Sequence, residues 1–132
     1  MTTSIMLLLV EDEALIAAVL EDALTESGYE VVKSQNGVEA LKEIEADASR
    51  FRAVVTDIRL GKGVDGWAVA QRAREIVPTM PIVYMSASEA PEWASKGVPG
   101  SVILVKPFAP AQLVTAVSTL LTEADMRALP PS

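Results

Sequence analysis

At 132 residues, half of them hydrophobic and with a mean hydropathy of +0.31, the chain can bury the core of one domain, which excludes a disordered segment. The net charge of −7, without a basic cluster, argues against direct nucleic-acid contact, and the apolar run Ile5 to Val10 is far too short to cross a membrane. There is no cysteine and no histidine, so disulfides, thiolate or imidazole zinc ligands and a His-activated nucleophile are excluded. The start of the chain lacks the basic residues of a signal peptide, so the expected setting is cytoplasmic.

Taken in order, strand and helix signals alternate. Ile5 to Val10 reads as a buried strand that stops at Glu11-Asp12. Leu15, Ile16, Val19, Leu20, Ala23 and Leu24 then make a wide helical stripe, stopped by Gly28. Glu30 to Ser34 is short and more polar, as an edge strand would be, and Asn36-Gly37 is turn chemistry. Val38, Leu41 and Ile44 predict a second helix ending near Asp47 to Ser49. Ala53-Val54-Val55-Thr56 runs into Asp57 and a loop carrying Gly61, Gly63 and Gly66. A third helix, from about Gly66 to Val77, would bury Trp67, Ala70 and Ala73, and Pro78 ends it. Pro81 to Met85 stops at Ser86, and Ser88 to Lys96 predicts a short helix with Pro91 near its start. Val102 to Val105 stops at Lys106-Pro107. A last helix carries Leu113, Val114, Val117, Leu120 and Leu121, with Ala124 to Leu129 as an extension that Pro130-Pro131 must end.

This alternation predicts an α/β, flavodoxin-like three-layer sandwich: five βα units around a parallel five-stranded sheet of order 2-1-3-4-5. The whole of residues 1–132 reads as one domain, with a core of about 4–121 and a short extension over 122–132. In such a sheet the carboxyl ends of the first, third, fourth and fifth strands meet at one edge. Glu11-Asp12, Asp57, Ser86 and Lys106 would therefore converge. Each has a plainer reading alone: the acidic pair as a helix cap, Asp57 and Ser86 as turn or cap residues, Lys106 as a solvated ammonium. All four at strand ends, in order along the chain, point to a site. No P-loop pattern is present to support nucleotide binding.

On these residues the chain resembles the receiver domains of bacterial two-component response regulators, from Ile5 to about Leu121. The resemblance implies that Glu11 and Asp12 hold Mg²⁺ (or Mn²⁺) together with Asp57 and the backbone carbonyl of Arg59. It implies further that Asp57 is the phosphoacceptor, that Ser86 contacts the phosphoryl group, and that Lys106 precedes a cis-type Lys-Pro bond in a Lys106-Pro107-Phe108 signature. Three departures stand out. Gly61 occupies a position usually held by Pro, Asp65-Gly66 comes one residue late, and Ile103 replaces the Tyr or Phe that normally swings inward on activation.

The residue types suit that chemistry independently of the resemblance. Three clustered carboxylates repel by about 1–4 kcal/mol per pair, which a hard, oxygen-seeking cation relieves. Phosphoryl transfer needs mainly positioning and charge neutralisation. The implied function is a phosphoacceptor switch that is not an enzyme beyond its own phosphorylation and dephosphorylation. Its donor would be a histidine kinase or a histidine phosphotransfer protein. A phosphate sink or shuttle, a phosphorylation-independent adaptor and a small metabolite phosphotransferase or phosphatase are the competing readings; intact Asp57, Ser86 and Lys106 count against the adaptor, and the lack of further pocket residues against the metabolite enzyme. With no DNA-binding segment after Leu121 in this sequence, output is expected through a downstream protein target. The face of the fourth helix, fifth strand and fifth helix, carrying Trp93 and Ile103, is the expected contact or dimer surface.

Overall fold

The computed structural model describes residues 4–61 and 63–128. Its strands are β1 (Ile5–Val10), β2 (Tyr29–Ser34), β3 (Ala53–Asp57), β4 (Ile82–Ser86) and β5 (Val102–Val105). Between and after them run α1 (Ala14–Glu26), α2 (Gly37–Asp47), α3 (Gly66–Ile76), α4 (Trp93–Lys96) and α5 (Pro110–Ala128), with single 3₁₀ turns at Ala48–Arg50 and Ala90–Glu92. The strands form one sheet of order β2-β1-β3-β4-β5, and every pairing is parallel. The expected fold class and strand order are those observed.

Because alternate residues of a strand face opposite sides, the sheet divides its apolar side chains between two cores. Leu7, Leu9, Val55, Val83 and Met85 pack with Leu20 and Leu24 of α1 and Leu113, Val117, Leu120 and Leu121 of α5. Leu8, Val10, Val54, Ile82 and Tyr84 pack with Ala40 and Ile44 of α2 and Trp67, Val69, Ala70 and Ala73 of α3. Each large aliphatic side chain so enclosed contributes about 1.5–3 kcal/mol. Asn36 caps α2 by accepting from the Glu39 amide at 2.8 Å, and Asp65 caps α3 by accepting from the Ala68 amide at 3.0 Å.

Three expectations need correction. Leu15 and Val19 belong to the apolar stripe of α1 but are 84% and 54% exposed, because α5 covers only the side bearing Ala17, Leu20 and Leu24. Val38 is half exposed on α2 for the same reason: α3 meets that helix along Ala40 and Ile44. The segment after β4 is not one helix but a 3₁₀ turn followed by four α-helical residues, none of them buried. With no apolar face to anchor it, a longer helix has nothing to pack on. The extension of the last helix is observed as far as Ala128; Leu129 and the expected stop at Pro130-Pro131 lie outside the described residues. No helix among the described residues is long and apolar enough to cross a membrane.

Candidate functional site

The sheet ladder continues one step past the strands and sets the residues that follow them. The Glu11 amide donates to Ser34 O at 3.1 Å, the Ile58 amide to Met85 O at 3.1 Å and the Lys106 amide to Ser86 O at 2.7 Å. Asp57 pairs with Met85 and Ser86 with Val105 across the sheet, so four strand ends deliver their polar residues to one edge. Gly66 closes the floor beneath Asp57. Its amide donates to Ile58 O at 2.7 Å, and an added Cβ would overlap Asp57 O and come within 2.8 Å of Ile58 Cα.

At that edge Glu11, Asp12 and Asp57 each offer a carboxylate oxygen, all within 4.8 Å of one another. Lys106 Nζ lies 2.8 Å from Asp57 Oδ1 and donates to Glu11 Oε1 at 3.2 Å, so the ammonium bridges two buried acids. Its reading as a freely solvated strand exit is thereby set aside. So is the reading of Glu11-Asp12 as a helix cap, since Glu13 is the N-cap residue of α1 and no side chain there makes a cap hydrogen bond.

Charge is poorly compensated despite Lys106. Burial raises the Asp57 carboxyl above its ordinary value; hydrogen bonding and charge from Lys106 pull it back, and the Glu89 charge pushes it further up. Glu11 Oε2 is buried with no hydrogen-bond partner among the described residues. An orphaned carboxylate oxygen beside two further carboxylates is a donor set suited to a hard divalent cation, so Glu11, Asp12 and Asp57 fit such an ion. The cleft above them, ≈ 260 Å³, is lined by Asp12, Asp57, Arg59, Ala87, Glu89 and Lys106 among others.

Ser86 reaches this edge but is engaged elsewhere. Its Oγ accepts from the Glu89 amide at 2.7 Å and donates to Glu89 Oε1 at 3.1 Å, so the turn reading of this hydroxyl also holds. The same carboxylate oxygen accepts from the Ala87 and Ser88 amides at 3.2 and 3.3 Å, and Oε2 accepts from Ser88 Oγ at 3.1 Å. Burial pulls the Glu89 carboxyl upward, yet these donors from Ser88 and Ser86 outweigh it and hold it below the usual range. Glu89 is a residue of the site that strand-end position does not single out. Its signal was present: Ser86-Ala87-Ser88-Glu89 fits the S-x-x-E pattern of a capping box.

The remaining expected residues scatter around the cluster. The Arg59 side chain is exposed, with Nε 3.5 Å from Glu89 Oε2. Phe108 follows the cis Lys106-Pro107 bond and packs against the α1–α5 core. Ile103 is half-buried and pairs across the sheet with Tyr84, whose hydroxyl accepts from the Val98 amide at 3.1 Å and whose ring centroid is 4.8 Å from that of Trp67. Trp93 is 36% exposed, lies against Gly97 and donates from Nε1 to Ser101 Oγ at 2.9 Å.

Sequence and structure comparisons agree with this geometry. Residues 7–118 match the model of the response regulator receiver domain. The chain belongs to the response-regulator receiver family. A solved response regulator receiver protein from Sinorhizobium medicae is 48% identical, with a TM-score of 0.88 over 92% of this chain and 97% of that one. Among curated relatives, the transcriptional regulatory protein PrrA of Mycobacterium tuberculosis is 35% identical over 121 residues, covering 90% of this chain and 51% of the relative. The transcriptional regulatory protein CusR of Escherichia coli is 35% identical over 117 residues, covering 87% and 50% respectively. This receiver thus spans about half the length of the curated relatives it matches. Its acidic edge and its Lys106 bridge fall within the matched region, as do the five strands apart from Ile5 and Met6.

Proposed function

We propose that this receiver is a phosphoacceptor switch in two-component signalling, with Asp57 as the nucleophile. The observation that carries the reading is the Lys106 ammonium held between Asp57 at 2.8 Å and Glu11 at 3.2 Å. It restrains the Asp57 carboxylate at the mouth of a polar cleft and is ready to meet an incoming anion. An oxygen of Asp57 attacks phosphorus and forms an acyl phosphate. The bond from phosphorus to the imidazole nitrogen of a donor phosphohistidine breaks, and that nitrogen keeps the electron pair and takes up a proton. The donor is a histidine kinase or a phosphotransfer protein, since this chain holds no histidine. Mg²⁺ (or Mn²⁺), held by Glu11, Asp12, Asp57 and the Arg59 carbonyl, would neutralise charge on the phosphoryl oxygens. Lys106 pairs with one of those oxygens and Ser86 donates to another. The reaction takes place in the cytoplasm. The signal leaves by protein contact on the face of α4, β5 and α5, where Trp93 and Val105 are exposed.

Incubation with acetyl phosphate and Mg²⁺, followed by intact mass measurement, tests the assignment. Wild type should gain one phosphoryl mass and Asp57→Asn none. Continued labelling of the variant would place the acceptor elsewhere.

A further inference from the structure

The Ser86 hydroxyl has one proton, and Glu89 holds it. If Asp57 is the phosphoacceptor, as proposed above, a phosphoryl oxygen and the Glu89 carboxylate compete for the same donor and cannot both have it. Glu89 is 7% exposed, lines the same cleft as Asp57 and Lys106, and occupies the amides of Ala87 and Ser88 as well as the hydroxyl. We propose that Glu89 is a competitive latch: it holds the Ser86 hydroxyl in the resting chain, and a phosphoryl group on Asp57 takes that hydroxyl over and releases residues 89–96.

Three further observations give the latch somewhere to act. A phosphoryl dianion adds charge beside an existing carboxylate, so the two anions repel and the displaced carboxylate moves outward. Arg59, 79% exposed and 3.5 Å from Glu89 Oε2, is a flexible cation able to follow it. The segment that Glu89 anchors has no buried residue from Ala90 to Lys96; the Glu92 amide bonds to Glu89 O at 2.9 Å, and the Trp93 indole to Ser101. Freeing the Glu89 side chain therefore leaves the turn and α4 held by main-chain bonds and by the Trp93 indole on Ser101, with no buried side chain from Ala90 to Lys96 to anchor them. An inward aromatic at position 103 is not needed, and Ile103 is compatible with switching. Glu89 is a positioning residue in this account: it acts on the phosphoryl group through Ser86.

The plainer role for Glu89 is that of a cap, and the two make opposite predictions. The experiment uses the full chain labelled with 5-fluorotryptophan, its two fluorine resonances assigned with Trp93→Phe, titrated with beryllofluoride in the presence of Mg²⁺. Glu89→Gln keeps the side-chain shape and an acceptor oxygen but loses the charge. Glu92→Gln controls for charge alone, since Glu92 pairs with Lys96 and does not touch Ser86. As a latch, Glu89→Gln should bind the mimic about tenfold more tightly, the equivalent of one charge-assisted hydrogen bond at the low end of its range. Its Trp93 resonance, without the mimic, should already be shifted toward the position of mimic-bound wild type. Glu92→Gln should change affinity by less than about twofold. Unchanged or weaker binding by Glu89→Gln, with wild type binding normally, overturns the latch alone. A gain that Glu92→Gln reproduces does the same. Failure of both wild type and Glu89→Gln to bind the mimic overturns the phosphoacceptor reading and the latch with it.

Discussion

Asp57 is a carboxylate kept where a carboxylate is uncomfortable. Burial raises its pKa more than Lys106 lowers it, so the folded chain favours the protonated form relative to an unfolded chain, where Asp titrates near about 3.9. The sign follows from linkage. An acid whose folded pKa is raised costs stability at every pH above that pKa, and the cost vanishes as pH falls toward the unfolded value. Asp57→Asn, neutral and nearly isosteric, should therefore melt higher than wild type in chelator at neutral pH. Each kcal/mol relieved is worth roughly 3–6 °C in a chain of this size, so the gain is readable in paired melts. The gap should close on acidification through the Asp57 titration. Glu89, whose pKa is lowered, contributes stability that is lost at low pH in both proteins, and because its charge also helps to raise Asp57 the difference reports the coupled pair. Paired thermal melts at neutral and acid pH measure it; a gap that is constant or reversed means that Lys106 fully compensates Asp57.

At the level of elements, the junction of β3 with α3 is the tightest fit near the site, and two glycines there are needed for different reasons. Gly66 is a packing requirement, because any side chain drives into the backbone of Asp57 and Ile58. Gly61 is a backbone requirement: its φ is +77° and nothing lies within 4 Å of an added Cβ. Gly66→Ala should destabilise by about 1–3 kcal/mol or more through forced displacement, and should also slow phosphorylation because the atoms that move belong to Asp57. Gly61→Ala should cost about 1–2 kcal/mol of left-handed strain and leave the labelling rate nearly unchanged. Urea titrations with acetyl phosphate labelling separate the two. If Gly61→Ala slows labelling as much as Gly66→Ala does, the loop and not the helix junction positions the acceptor.

Across the whole molecule, stability is distributed unevenly. β3, β4 and the last four residues of β1 are buried on both faces between the two helical layers, while the stretch from Ala90 to Lys96 buries no residue. Few apolar contacts imply a low local opening free energy. Amide hydrogen exchange of the resting protein should show residues 93–97 exchanging at least about a hundredfold faster than β3, and faster still in Glu89→Ala. Protection equal to that of β4 would mean the segment opens only with the whole domain.

Sequence alone determined the architecture and most of the edge. Strand runs such as Ala53 to Thr56 are too apolar to tolerate water on either face, their alternation with helices forces parallel crossovers, and parallel crossovers bring Glu11, Asp12, Asp57, Ser86 and Lys106 to one side. Periodicity misjudged Leu15, Val19 and Val38, because a helical stripe records which side chains are apolar but not how wide a face its neighbour covers. The partners of the site residues were decided only by tertiary structure. That Lys106 bridges Glu11 and Asp57 depends on chain segments 95 residues apart meeting within a few ångströms. That Ser86 faces Glu89 depends on how the β4 exit turns over the sheet edge: the S-x-x-E pattern was readable, but its burial beside Asp57 was not. Local sequence encodes which groups can bond; which of them compete for one proton is set by the distances that folding imposes.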